Sequence, residues 1–121
     1  KEGLIPTMIY YTWNKWSTCK KTKELLLQNN FDIVERDIFD DPLSESEIVE
    51  FLKYTDIDYI FAKRSPSVKK IGLDVDTMSE QEKIQEMLKE PRLIRRPLVV
   101  YENRVSVGAD VKKLAWYKIN L

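Results

Sequence analysis

The sequence predicts an α/β domain built on a mixed four-stranded sheet, in the order β-α-β, helical insertion, β-β-α. Three observations predict it. An aromatic and β-branched run at Met8–Trp13 (MIYYTW) is followed by an amphipathic helix and a second alternating run at Phe31–Ile38 (FDIVERDI). Two capping boxes, Ser44-x-x-Glu47 and Ser79-x-x-Glu82, open helices in the middle of the chain. Near the end, Leu98–Tyr101 (LVVY) and Val105–Val107 flank Glu102-Asn103, a pattern that suits a hairpin. The 121 residues suffice for one domain with a single core.

Each element follows from local chemistry. Residues 1–7 are expected to be a leader or an appended remnant, with Met8 as a candidate start, and 8–121 to form the domain. Ser17 and Thr18 are N-cap candidates for a helix that Asn29-Asn30 stops, and Cys19, Thr22 and Leu26 fall on its inward stripe. The first two strands, joined through this helix, should be parallel. Asp40-Asp41-Pro42 breaks the chain, and the acids read as a solvated turn. The insertion spans about 44–90. Its first helix should run through Tyr54 with Ile48, Phe51 and Leu52 inward. Short helical pieces are expected around Arg64-Ser65-Pro66, ending at Gly72. Ile84, Met87 and Leu88 form the stripe of the next helix, which Pro91 ends. The last helix should start near Asp110, with Val111, Leu114 and Ala115 inward.

Composition excludes much chemistry. Lys plus Arg and Asp plus Glu both number 20, so no net charge draws the chain to nucleic acid or to an anionic membrane. There is no His, which removes Ser-His and Cys-His nucleophile pairs and the usual zinc sites. The three glycines are isolated and form no phosphate loop. The single Cys cannot close an internal disulfide, so the cytoplasm is the expected compartment. A monomer without metal or bound cofactor is expected. Lys15, Lys20, Lys21 and Lys23 read as a solvated helix surface that raises the local potential.

Four segments carry a more specific resemblance. Thr12–Lys21 (TWNKWSTCKK) lies where thioredoxin-like proteins carry a redox loop, between first strand and first helix. Leu93–Val100 (LIRRPLVV) is similar to the arginine–proline segment of ArsC-type arsenate reductases and Spx regulators. Val34–Leu43 (VERDIFDDPL) and Arg64-Ser65 match the same family. From Met8 onward the chain thus resembles the arsenate reductase (ArsC)/Spx family, whose fold is thioredoxin-like and of the glutaredoxin type.

That resemblance implies a thiol-dependent oxidoreductase linked to glutathione and glutaredoxin, with glutathione as co-substrate. It implies an anion site made by Arg96 and Arg64 opposite the backbone amides at Ser17 and Thr18, with Pro97 cis. An arginine cluster facing a helix N-terminus also suits an anion on physical grounds. The plainer alternative has Arg92, Arg95 and Arg96 capping the preceding helix and pairing with Glu90 or Glu102. At the loop the chain departs from C-x-x-C or C-x-x-S: the four positions read Trp16-Ser17-Thr18-Cys19. Trp16 stands at the position of the attacking cysteine, and Cys19 at the resolving position. Trp16 is expected to turn inward and stack on Arg96. A further family arginine is unmatched at Val107-Gly108-Ala109. Classical arsenate reduction is therefore expected to be weakened or lost. Cys19 is either a reactive thiol or a small buried apolar residue. Two other functions stay open: a Spx-like regulator binding the C-terminal domain of the RNA polymerase α subunit, and a non-catalytic interaction module.

Overall fold

A computed structural model describes residues 7–13, 15 and 17–119, with side chains through Leu114. The elements are β1 (Thr7–Thr12), α1 (Ser17–Gln28), β2 (Asp32–Asp37), α2 (Glu45–Phe51), α3 (Ile57–Ile60), α4 (Pro66–Ile71), α5 (Glu80–Lys89), β3 (Leu98–Tyr101), β4 (Arg104–Val107) and α6 (Asp110–Ile119). Short 3-10 turns lie at Val75–Thr77 and Pro91–Leu93. The sheet order is β2-β1-β3-β4. β1 and β2 are parallel, whereas β3 runs antiparallel to both β1 and β4. The fold class read from the sequence is therefore the one observed.

Alternation in β1 divides the core. Met8 and Tyr10 join Leu26, Phe31, Val99 and Val111 on one face, where α1 packs against α6. Tyr11 points to the other face and joins Ile48, Phe51, Ile60, Phe61, Ile84, Met87 and Leu98 beneath the insertion. The hairpin turns at Glu102 and Asn103, with φ of 49° and 61°, so two consecutive positive values match the right-handed twist of the strands. Gly72 caps α4 at φ +83°, a left-handed conformation that favours glycine.

Several boundaries differ from the sequence reading. β1 begins at Thr7, which pairs with Asp32, one residue before the expected start at Met8. Residues 1–6, the rest of the expected leader, lie outside the described residues. α2 ends at Phe51, short of Tyr54, because Leu52 closes it as a cap. Both capping boxes are formed: the Ser44 and Ser79 hydroxyls accept from the amides of Glu47 and Glu82, whose carboxylates accept in return. The inward placement expected for Ala115 lies outside the described side chains. Among the described residues no helix is long and apolar enough to cross a membrane.

Polar and charged contacts tie the insertion to the sheet, to itself and to α6. Arg36 of β2 grips the Glu47 carboxylate with both terminal nitrogens and donates to the carbonyls of Pro42 (2.7 Å) and Asp41 (3.0 Å). Buried Lys83 of α5 donates to Asp58 of α3 at 2.6 Å. The Tyr59 hydroxyl donates to Asp110 at the start of α6, at 2.5 Å. Hydrogen bonds from Arg36, Lys83 and Tyr59 hold Glu47, Asp58 and Asp110, respectively, below the usual carboxylate range. A carboxyl depressed in the folded state stabilises above its unfolded pKa of about 4, and that stability is lost as pH falls through the folded value. The urea midpoint should thus be level above about pH 5 and decline below about pH 4. A midpoint unchanged down to pH 2.5 would contradict these pairings.

Candidate functional site

The arginine–proline segment is positioned by pairing with the insertion. Phe61 and Ile94 form an antiparallel bridge. Beside it the Ala62 amide donates to the Leu93 carbonyl at 2.7 Å, and the Arg95 amide to the Ile60 carbonyl at 2.9 Å. The chain then turns at Ala62, whose carbonyl accepts from the Ser65 amide at 3.0 Å, before Ser65 caps α4. This geometry carries Arg64 to the arginines of the facing 92–96 segment. The Arg96–Pro97 peptide is cis.

A cavity of about 470 Å³ results, lined by Trp13, Arg64, Ser65, Arg92, Arg95, Arg96 and Gly108 among others. Beside it lies a second, of about 400 Å³, lined by Asp58, Phe61, Ala62, Lys63, Arg64 and Arg95. Arg64 and Arg95 belong to both walls. Arg64 and Arg96 line the same cavity, together with Arg92 and Arg95.

The arginines differ in what holds them. Arg96 donates through one terminal nitrogen to the carbonyls of Pro91 (2.9 Å) and Ile94 (3.0 Å). Its guanidinium lies 5.3 Å from the Phe39 ring centroid and 6.0 Å from that of Trp13. Arg92 lies over the same rings at 5.5 and 5.7 Å, and also pairs with Glu90 at 3.5 Å. The Trp13 and Phe39 rings are in contact, tilted by 34° with centroids 5.0 Å apart. Burial pushes the Arg96 guanidinium below its ordinary value, while the nearby Cys19 acts in the opposite direction. Arg95 donates to the Tyr59 carbonyl at 3.1 Å and lies over that ring at 5.5 Å. One of its nitrogens would sit 3.3 Å from a Cβ built on Gly108, so a glycine there leaves the guanidinium its room. Arg64 is exposed and has no ion-pair partner among the described residues.

The redox loop is placed differently from the arginines. Ser17 and Thr18 begin α1, exposed, and are not among the residues lining either cavity. Cys19 is 1% exposed, and its carbonyl accepts from the buried Tyr10 hydroxyl at 2.6 Å. Trp16, with its expected stacking on Arg96, lies outside the described residues; among those described, Trp13 and Phe39 are the aromatic partners of Arg96. The capping role considered for the arginines is partly realised, since Arg96 serves the Pro91–Leu93 turn and Arg92 pairs with Glu90. Sequence reasoning missed Trp13, Phe39 and Tyr59. Phe39 and Tyr59 carry no local signal, whereas Trp13 could have been suspected from its place at the strand exit.

Residues 11–115 match the model of the ArsC family. The chain is 35% identical over 100 residues to the global transcriptional regulator Spx of Listeria innocua, covering 81% of this chain and 76% of that protein. It is 34% identical to Spx of Bacillus subtilis with the same coverage. Among solved structures, a putative ArsC family related protein from Bacteroides fragilis superposes with a TM-score of 0.76 at 26% identity, over 89% of this chain and 96% of that one. An arsenate reductase from Vibrio cholerae has the same fold, with a TM-score of 0.80 at 18% identity, over 91% and 96% of the two chains.

Proposed function

This chain belongs to the ArsC family, with that family's thioredoxin-like fold, and within it we propose that the protein is a Spx-like regulator that works by binding and does not reduce arsenate. The observation that carries this reading is the state of its only thiol: Cys19 is 1% exposed, one turn into α1. A nucleophilic thiol must be reachable by its electrophile. The position from which relatives of the reductase type attack holds Trp16. The similarity to Spx regulators at 34–35% identity supports the same reading. The partner proposed is the C-terminal domain of the RNA polymerase α subunit.

The test pairs two measurements on the intact chain. Calorimetric titration with the purified α-subunit domain should give saturable binding that Cys19→Ser leaves unchanged. Arsenate turnover with glutathione and glutaredoxin should stay at background, and Trp16→Cys should recover weak activity at most. No binding, together with turnover that Cys19→Ser abolishes, would establish a reductase. The rival reading is single-thiol exchange at Cys19. Thiol accessibility separates the two.

A further inference from the structure

The two adjoining cavities have a combination of size, charge and wall that neither the thiol loop nor a small oxyanion explains. Arg64 and Arg95 stand on the boundary between them, with Lys63 in one wall and Arg92 and Arg96 in the other. The acidic groups at their margins are already engaged. Asp58 accepts from Lys83 at 2.6 Å and lies 4.0 Å from Lys63, and Glu90 pairs with Arg92 at 3.5 Å. Arg64 has no ion-pair partner among the described residues, and Arg95 spends one nitrogen on the Tyr59 carbonyl. Guanidinium groups present paired donors that match carboxylate oxygens.

Size argues against a lone oxyanion. A cavity of about 470 Å³ has room for many waters, each with a share of roughly 30 Å³ in the liquid. An ion of five heavy atoms would fill a small part of it. The walls also include Trp13, Pro66 and Ile94, apolar surfaces that suit the methylenes of a side chain. Ala62 and Arg64, in the α3–α4 connection, line both cavities, so the two adjoin along this exposed segment.

We propose that the joined cavities dock a carboxylate-rich peptide segment of a partner protein, with Arg64 and Arg95 as the principal carboxylate contacts. Arginine clusters are a recurrent means of reading acidic motifs. The Tyr59 ring and carbonyl, with the space above Gly108, act as positioning groups that aim Arg95 between the cavities. The assignment is independent of the polymerase reading, because it rests on the cavities alone.

The probe is a fluorescein-labelled, end-blocked hexapeptide of alternating Asp and Glu, titrated into the full chain and followed by anisotropy. Its Asn/Gln counterpart, sodium sulfate and a labelled single-stranded hexanucleotide serve as comparators. The acidic peptide should bind at least about tenfold more tightly than the Asn/Gln peptide, and its affinity should fall as salt rises. Arg64→Ala and Arg95→Ala should each weaken it by about five- to tenfold, the scale of one charge-assisted contact at a partly exposed site. Arg64→Lys should retain part of the affinity. Arg64 is exposed, so its variants keep the fold, and amide NMR spectra verify this. Affinity unchanged in Arg64→Ala and Arg95→Ala overturns the site. Sulfate competing with the peptide at equal or better affinity reduces it to an oxyanion site and overturns the peptide assignment, as does tighter binding of the hexanucleotide. Failure here with intact binding of the α-subunit domain would leave the proposed function standing.

Discussion

Cys19 in the folded protein should react with a maleimide or an aromatic disulfide reagent about two orders of magnitude more slowly than in concentrated urea. The residue is 1% exposed, in the first turn of a helix packed against α6, and the Tyr10 hydroxyl holds its carbonyl at 2.6 Å. A reagent then reacts only from states in which this part of α1 has opened. Local openings of elements tied into a core have free energies of a few kcal/mol, and about 3 kcal/mol corresponds to a rate reduction of roughly 100-fold. Tyr10→Phe removes the hydrogen bond and leaves the Cys19 carbonyl without its donor. A loss of about 1–2 kcal/mol there should speed modification roughly tenfold. Both rates are read by mass spectrometry of quenched samples. A folded-state rate within a few-fold of the unfolded one would make the thiol accessible and favour single-thiol exchange over the regulator reading.

Phe61→Ala should cost about 3–5 kcal/mol of stability, the largest loss expected from a single side-chain truncation beside the arginine cavities. Phe61 is 1% exposed and packs in the core beneath the insertion. Its backbone bridges Ile94, and the bonds on either side, Ala62 to Leu93 and Arg95 to Ile60, depend on the same register. Truncation therefore opens a cavity and also loosens the segment that carries the arginines. Urea unfolding at pH 7 would register the loss as a lower midpoint with an unchanged slope. Phe61→Leu, which keeps most of the volume, should lose much less, and Arg64→Ala should stay within about 0.5 kcal/mol. A loss below about 1 kcal/mol for Phe61→Ala would mean that the insertion does not need this contact to hold the arginine segment.

The order of elements could be read from the chain because its signals are local. The Ser44 and Ser79 boxes satisfy amides within one turn of themselves, so three-residue spacing suffices to place two helices. Period-two alternation in β1 assigns Tyr10 and Tyr11 to opposite faces wherever the strand is paired. Gly72 and the Glu102-Asn103 turn depend on backbone preferences of the residues themselves. Resemblance at Arg64, Arg96 and Pro97 then supplied an expected site, and the burial of Cys19 followed from its stripe with Thr22 and Leu26. Other features depend on which distant segments meet, and no local period encodes that. Tyr59 finds Asp110 across 51 residues, because the α3 segment packs against the hairpin that leads into α6. Trp13 and Phe39 come together beneath Arg92 and Arg96 because parallel pairing aligns the exits of β1 and β2. The bridge between Phe61 and Ile94 turns two separated arginine segments into one basic double cavity. Such contacts are selected by sheet register and core volume, and these exist only once the whole chain has packed.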